Sequence, residues 1–192
     1  MGREFELKYR ATPEQLAAIA EKFGAFASIA METSYYDNVS CDLRRLHWTL
    51  RRRFENGRSV CTLKTPLADG SRGEWETECG DILEAVPVLC NLGAPRQLLL
   101  LTAGGVSPFC GARFTRLAKL LTLEDATVEL ALDRGHLLGG GKALSFAEVE
   151  VEYKSGSEEA AAAFATELAE AFRLAPEPKS KVARAMALAQ TT

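Results

Sequence analysis

Carboxylates that recur at every second residue are the feature of this sequence most able to do chemistry. Glu4 and Glu6 share one side of an alternating segment, and Glu148, Glu150 and Glu152 share one side of a later one. In an extended strand, residues two apart point to the same face. One such pair is commonly a solvated sheet face, but adjacent like charges are mildly destabilising, and here the pattern recurs on several strands. The repetition predicts that a ligand binds there.

Basic side chains follow the same spacing on other segments. Arg51 and Arg53 lie on one face of a predicted strand, and Lys64 lies on the next strand. Carboxylate oxygens are ligands that Mg²⁺ and Mn²⁺ prefer, whereas arginine and lysine donate charge-assisted hydrogen bonds to phosphate oxygens. A surface that carries both signs is therefore suited to a polyphosphate complexed with a metal.

Periodicity and turn residues predict the elements that must position these side chains. Strict alternation predicts a strand over 3–10, and Thr12 with Gln15 predicts a capped helix directly after it. Asn56-Gly57 marks the turn of a hairpin. Farther along, strands are predicted over 127–133 and 145–154, with the glycines of 139–141 in the connecting loop. We expect about eight strands interleaved with four or five helices.

These elements predict the fold class. About eight strands can close into a barrel whose interior and exterior residues alternate. The charged faces would then line the interior, and amphipathic helices would cover the apolar exterior. We therefore expect an α+β fold, a closed eight-stranded antiparallel β-barrel or tunnel with helices packed on the outside, formed by a single domain over 1–192.

Composition excludes several classes of protein. The net charge of −3 and the pI near 5.6 argue against a binder of nucleic acid or of anionic membranes.

No apolar run approaches the length needed to span a bilayer, and no signal peptide is evident, so we expect a cytoplasmic protein. Five scattered cysteines and two histidines disfavour structural zinc. Gly141-Lys142 is followed by Ala143, so a P-loop is excluded.

Several motifs occur in one order along nearly the whole chain. The first is Glu4-Phe5-Glu6-Leu7-Lys8, which has the form E-x-E-x-K. The others are Tyr35-Tyr36-Asp37, Leu50-Arg51-Arg52-Arg53, Thr62-Leu63-Lys64-Thr65-Pro66, Arg72-Gly73-Glu74-Trp75-Glu76, Leu132-Asp133-Arg134-Gly135, Glu148-Val149-Glu150-Val151-Glu152 and Ser180-Lys181 with Arg184. In these motifs the chain resembles the CYTH superfamily, also called triphosphate tunnel metalloenzymes. It is most similar to the bacterial inorganic triphosphatases of that superfamily, whose fold is a closed eight-stranded antiparallel tunnel.

The resemblance implies a role for each charged residue. Mg²⁺ or Mn²⁺ would be held by Glu4, Glu6, Asp133, Glu148 and Glu150. Phosphate oxygens would be held by Lys8, Arg51, Arg53, Lys64, Arg116, Lys181 and Arg184. Glu76 would help to activate the attacking water, with Lys8 and Arg53 in catalytic contact with the substrate. Arg113 and Arg116 lie three residues apart, so only one of them is expected to point inward on an ideal strand.

The implied activity is metal-dependent hydrolysis of inorganic triphosphate, or a related triphosphate, to pyrophosphate and phosphate. The partner would be a small-molecule triphosphate, with no nucleic acid and no membrane, and a homodimer is left open. Two alternatives share the fold, a class IV-type adenylate cyclase and a thiamine triphosphatase. A third alternative is a polyphosphate-binding module without catalysis.

Overall fold

The molecule is built around one antiparallel sheet of ten strands. The computed structural model describes residues 2–3, 5–68 and 71–190. The strands are β1 (Gly2–Arg3), β2 (Glu6–Arg10), β3 (Ala27–Asp37), β4 (Thr49–Glu55), β5 (Arg58–Pro66), β6 (Arg72–Glu78), β7 (Ser107–Thr122), β8 (Ala126–Gly139), β9 (Lys142–Gly156) and β10 (Ala175–Pro176). The predicted mixture of a large antiparallel sheet with helices is confirmed.

Six helices accompany the sheet. They are α1 (Pro13–Phe23), α2 (Asp42–Arg45), α3 (Ile82–Asn91), α4 (Gln97–Thr102), α5 (Glu158–Phe172) and α6 (Lys181–Gln190). The start of α1 is fixed by a capping box, in which Thr12 and Gln15 each accept a hydrogen bond from the backbone N–H of the other. None of the helices in the described ranges is long and apolar enough to cross a membrane.

The two ends of the sheet are joined by the N-terminal segment. The strand order is β1-β6-β5-β4-β3-β7-β8-β9-β2-β10, so β1 pairs with β6 near one edge while β2 pairs with β9 near the other. Three residue steps from Arg3 to Glu6 span at most about 11 Å. The sheet must therefore curl until its two edges lie close together.

The structure shows the predicted large antiparallel sheet with helices, but it does not show a closed barrel of eight strands in the described part of the chain. The sheet has ten strands, and the pairings among the described residues leave it open rather than closed by hydrogen bonds. The physical reason is that the N-terminal segment changes its pairing partner. Residues 2–3 pair with β6, whereas residues 6–10 pair with β9. The strand that was predicted as one continuous element therefore serves two edges in succession.

The predicted connecting loop at the glycines of 139–141 is confirmed as a hairpin turn, and the turn is tighter than expected. Gly139 pairs with Lys142, so β8 and β9 continue to a two-residue turn. The turn is formed by Gly140 and Gly141, whose φ angles are 57° and 74°. Because glycine adopts positive φ without steric cost, it allows the tight turn that fits two long paired strands.

The convex face of the sheet is apolar and is covered by two groups of helices. One core joins α1 and α5 to β2, β8 and β9, and it includes Ile19, Val128, Leu130, Val149 and Ala165. The other core lies under α2, α3 and α4 on β4, β5 and β6, and it includes Leu43, Leu50, Leu63, Leu89 and Leu98. The helices therefore leave the charged face of the strands turned toward the concave side.

The helix α6 has a different position, because it packs on β7, β8 and β9 from the concave side. Its Ala185 is fully buried in a third core that includes Phe114, Leu137 and Phe146. The approach is close, since a Cβ atom added at Gly139 would lie 2.1 Å from the carbonyl oxygen of Ala185. One end of the space enclosed by the sheet is therefore filled by a helix.

Candidate functional site

The concave side of the sheet encloses a cavity of about 990 Å³. Strands β2 to β9 all contribute to its wall, and the segment before and at the start of α6 borders it through Pro176 to Val182. The wall is dominated by charged side chains of both signs. An enclosed space of this size and charge is suited to a small polyanion rather than to an apolar ligand.

One side of the cavity is basic. Arg51 and Arg53 point into it from β4, and Lys64 points into it from β5. The carboxylate of Glu74 on β6 lies 3.5 Å from Arg51 and 3.3 Å from Lys64, so two cations share it. Burial lowers the pKa of Arg53, and the neighbouring charge of Arg51 lowers it further. An anion bound here would relieve this repulsion between neighbouring guanidinium groups.

The opposite side carries an anionic row, which we define as Glu6, Glu129 and Glu152. Glu152 on β9 lies directly opposite Glu6 on β2 and directly opposite Glu129 on β8. Each has a cationic neighbour: Lys8 lies 3.2 Å from Glu6, Lys154 lies 2.8 Å from Glu152, and Arg116 lies 4.0 Å from Glu129. Three adjacent carboxylates on the cavity wall are a potential set of hard oxygen ligands.

Deeper in the wall lies a second group, the buried carboxylate cluster, formed by Asp133, Glu148 and Glu150. One carboxylate oxygen from each lies within 4.8 Å of the others. Arg116 binds Asp133 through two hydrogen bonds of 2.8 Å, from Nε to Oδ1 and from a terminal nitrogen to Oδ2. The same guanidinium also contacts Glu150. This forked geometry is the strongest form of arginine–carboxylate pairing.

The helix α6 supplies two more cations to the buried carboxylate cluster. The ammonium of Lys181 lies 2.8 Å from Asp133 Oδ2 and 2.7 Å from Glu150 Oε1, and it also contacts Glu148. Arg184, one helical turn later, contacts Glu148 and lies 3.6 Å from Glu177. Together with Arg116, these side chains balance the three carboxylates with three cations.

The pKa values in this cluster follow from its charges. Burial alone would raise the pKa of Glu150, but the charges of Lys181 and Arg116 outweigh it and hold that pKa well below its ordinary value. Burial alone would lower the pKa of Lys181, but the carboxylates of Glu150, Asp133 and Glu148 raise it well above its ordinary value. Both groups are therefore charged at neutral pH.

The donor chemistry of these carboxylates fits a divalent metal. Mg²⁺ and Mn²⁺ prefer hard oxygen ligands, and the buried carboxylate cluster offers three carboxylate oxygens within one small volume. Glu150 connects this cluster to the cavity, because it also lines the cavity wall. The identity of the metal does not follow from the ligands, since the same donors suit either ion.

The structure places most of the predicted site residues around one cavity. Those that line it are Glu6, Lys8, Arg51, Arg53, Lys64, Glu76, Arg116, Glu150 and Lys181. Asp133, Glu148 and Arg184 lie behind this layer, in the buried carboxylate cluster and its cationic partners. Glu4 lies outside the described residues. Of the two arginines on β7, Arg116 points inward, whereas Arg113 is exposed on the other face and pairs with Glu32.

Glu76, the predicted water-activating carboxylate, lies on the basic side. It is opposite Thr62, whose hydroxyl donates a hydrogen bond of 3.3 Å to Glu76 Oε2. Thr62 is fully buried, so this bond fixes one oxygen of the carboxylate at the cavity wall. The other oxygen remains available to accept a proton from a water molecule.

Sequence reasoning did not assign several cavity residues. These are Tyr35, Arg72, Glu74, Glu129 and Glu152. Glu74 and Glu152 lie two residues from assigned carboxylates, and Glu129 lies four residues from Asp133, so a strict reading of the alternation would have found them. Tyr35 is uncharged, so the alternation of charged residues does not select it. Arg72 is the first residue of β6, so no earlier residue of the strand establishes its face.

Solved structures confirm the fold. A protein from Bacillus halodurans described as a putative adenylate cyclase aligns with a TM-score of 0.69 and 20% identity, over 94% of this chain and 96% of its own. A putative adenylyl cyclase from Hippeastrum, described as having a dominant triphosphatase activity, aligns with a TM-score of 0.67 and 18% identity, over 94% of this chain and 93% of its own. At these identities the likeness concerns the fold alone.

Sequence comparison gives the family. An inorganic triphosphatase from Haemophilus influenzae is 26% identical over 164 residues, which are 82% of this chain and 47% of that protein. The chain thus spans about half the length of this curated relative. The model of the CYTH domain matches residues 2–186. Because that match covers nearly the whole chain, the protein belongs to the CYTH domain family.

Proposed function

We propose that the protein hydrolyses inorganic triphosphate to pyrophosphate and phosphate in a metal-dependent reaction within the cavity. The observation that carries the proposal is that one cavity is lined by charges of both signs, with Arg51, Arg53 and Lys64 on β4 and β5 and a set of carboxylates on β2, β8 and β9. A metal-complexed polyphosphate has the matching distribution of charge. The similarity to an inorganic triphosphatase supports the same activity.

Arg51, Arg53 and Lys64 would bind the phosphate oxygens on the basic side. Each hydrogen bond to a charged group contributes about 1.5–3 kcal/mol, and several such bonds orient a linear chain of phosphates. Lys8 and Arg116 would contact the substrate from the carboxylate side of the cavity. Since negative charge spreads over the phosphoryl oxygens during transfer, fixed cations around the cavity stabilise the transition state.

Glu76 would orient the attacking water and accept its proton. It lines the same cavity as Arg51 and Arg53, and it is in register with Arg51 across Thr62, so it borders the space where the phosphates would be held. The hydrogen bond from Thr62 leaves one carboxylate oxygen for the water. A positioned carboxylate of this kind is the usual general base or water-orienting group in phosphoryl transfer.

The metal would be held by Glu6 and by the buried carboxylate cluster of Asp133, Glu148 and Glu150, with Glu4 as a further ligand. When bound, Mg²⁺ or Mn²⁺ neutralises charge on the phosphate oxygens and orients them. The chain's own cationic groups would bind the rest of the substrate. We further propose that the N-terminal segment, which serves both sheet edges, completes a closed tunnel around the bound triphosphate.

A phosphate-release assay tests the proposal. Purified protein is incubated with Mg²⁺ or Mn²⁺ and with inorganic triphosphate, ATP, thiamine triphosphate or pyrophosphate, and the products are separated by chromatography. We expect kcat/KM for triphosphate to exceed that for ATP, and pyrophosphate to be a poor substrate because it lacks one anchoring phosphate. Cyclic AMP with pyrophosphate as the main products of ATP would instead assign a cyclase. Tight triphosphate binding without turnover would assign a binding module.

A further inference from the structure

The ammonium of Lys181 occupies the centre of the buried carboxylate cluster. It lies 2.8 Å from Asp133 and 2.7 Å from Glu150, and it touches Glu148. These three residues are the ones whose carboxylate oxygens lie within 4.8 Å of one another. The same oxygens that are suited to a divalent ion are therefore already arranged around a cation that belongs to the chain.

We infer that the Lys181 ammonium holds the place of the divalent metal, and that metal binding displaces Lys181 together with the start of α6. The inference rests on the proposed metal dependence and specifies how the metal enters. Mg²⁺ lies about 2.1 Å from its ligand oxygens. An ion that binds the oxygens around Lys181 at that distance would overlap its ammonium, so the two cations exclude each other.

Lys181 is the cation most able to leave. Arg116 is fixed to Asp133 by a two-bond fork, and it lies in the middle of β7. Lys181 is instead the first residue of α6, and its flexible four-carbon stem makes point contacts without a fork. Arg184 is one turn farther into the helix and contacts Glu148 alone within the cluster. A divalent ion would therefore replace Lys181 and leave the arginines in place.

The exchange changes the charge of the cavity. The three carboxylates of the cluster face three cations, two of which also lie near carboxylates outside it, Arg116 near Glu129 and Arg184 near Glu177. Replacing one ammonium by a divalent ion adds one positive charge to the cluster, and the released ammonium adds a further positive charge to the cavity wall, which Lys181 already borders. Both changes favour a polyanion. Metal and triphosphate should therefore each increase the affinity of the other, as linkage requires.

The exchange also affects α6. The helix begins with a hydrogen bond of 3.2 Å from the backbone N–H of Ala183 to the Ser180 hydroxyl, and Lys181 anchors this first turn to β8 and β9. The later residues remain held by the close packing of Ala185 on Gly139. Loss of the Lys181 contacts should loosen the first turn of α6 while its second half stays packed.

Titration with Mn²⁺ alone tests the inference. Binding is measured by isothermal titration calorimetry on the wild-type protein, on Lys181→Met and on the control Lys179→Met, which removes the same charge from an exposed side chain. We expect Lys181→Met to bind Mn²⁺ at least tenfold more tightly than the wild type, and Lys179→Met to bind like the wild type. Adding triphosphate should tighten Mn²⁺ binding to the wild type more than to Lys181→Met.

Hydrogen exchange on the unaltered protein gives a second measurement that needs no variant. We expect Mn²⁺ to accelerate amide exchange in the first turn of α6 and to leave its second half unchanged. Equal Mn²⁺ affinity in Lys181→Met and Lys179→Met, with no change in α6 exchange, would overturn the inference while leaving metal-dependent hydrolysis intact. Absence of Mn²⁺ binding in every variant, with or without triphosphate, would overturn both the inference and the proposed function.

Discussion

Arg116 and Asp133 form a two-bond fork inside the wall of the cavity. Both hydrogen bonds measure 2.8 Å, and the Asp133 side chain is fully buried. Asp133 therefore fixes the orientation of an arginine that also borders the cavity and contacts Glu150. This pair therefore contributes to the stability of the folded sheet and also fixes the position of Arg116 at the cavity wall.

Removal of the fork should destabilise the protein strongly. Arg116→Ala removes the forked partner of Asp133 and one of the two cations that contact Glu150. Loss of one partner of a buried ion pair costs up to about 3–5 kcal/mol, and Lys181, which contacts both carboxylates, offsets part of this cost. Arg113→Ala is the matched control, because Arg113 lies on the same strand but its pair with Glu32 is exposed and contributes less than about 1 kcal/mol. Urea unfolding measures both free energies. Equal losses in the two variants would contradict this role of the fork.

Loss of a single cation on the basic side should reduce catalysis without unfolding the protein. Arg53→Ala or Lys64→Ala removes hydrogen bonds to a charged substrate, so kcat/KM for triphosphate should fall roughly ten- to a hundredfold. Arg45→Ala serves as the control, because that side chain is exposed on α2 and pairs with Asp42. Unchanged kcat/KM in both cavity variants would show that phosphate binds elsewhere.

Removal of the metal should abolish activity reversibly. Excess chelator should reduce hydrolysis of triphosphate to background, and added Mg²⁺ or Mn²⁺ should restore it, since the proposed ligands are carboxylate oxygens. Glu6→Gln keeps the size of the side chain while removing its charge, and it should lower the affinity for the metal. Hydrolysis at the full rate in excess chelator would refute the metal dependence.

The sequence predicted the faces of the strands better than their ends. The two-residue alternation placed Glu6, Lys8 and Glu150 on one face, because a strand in this sheet is buried on its apolar side and charged on the other. The alternation could not reveal that Asp133 and Glu148 would be fully buried. Their burial depends on contacts with α6, which lies far from both residues in the sequence.

The division of the N-terminal strand was likewise beyond sequence reasoning. The alternation over 3–10 is continuous, and a strand keeps the same side-chain period whichever neighbour it pairs with. Pairing first with β6 and then with β9 is decided by the positions of two edges that are far apart in the chain. Local patterns contain no information about such a change of partner.

The stability of the metal-free protein should not depend on the charges of Glu150 and Lys181 near neutral pH. The pKa of Glu150 is lower in the folded state than when unfolded, so its contribution is present above about pH 4.3 and is lost as the pH falls further. The pKa of Lys181 is higher in the folded state, so its contribution persists until the pH rises beyond about 10.4. We expect constant thermal midpoints between about pH 6 and 9.

Thermal unfolding followed by fluorescence over this pH range checks the prediction. The midpoint should fall once the pH drops below about 4.3. In Lys181→Met, the loss of the charge that most lowers the pKa of Glu150 should bring that pKa closer to its unfolded value, so the contribution of Glu150 to the decline below about pH 4.3 should become smaller. A midpoint that falls steadily from pH 9 to pH 6 would contradict the assignment of charges in the buried carboxylate cluster.

The N-terminal segment that serves both sheet edges also constrains the kinetics of folding. Glu6 on β2 pairs with Glu152 on β9, which lies far along the chain from it. Contacts between such distant residues slow folding, because the loop between them must be closed before the contact contributes free energy. The hairpins from β3 to β9 can form first from neighbouring segments, and the N-terminus must wait for both edges. Docking of the first ten residues should therefore be a late step of folding.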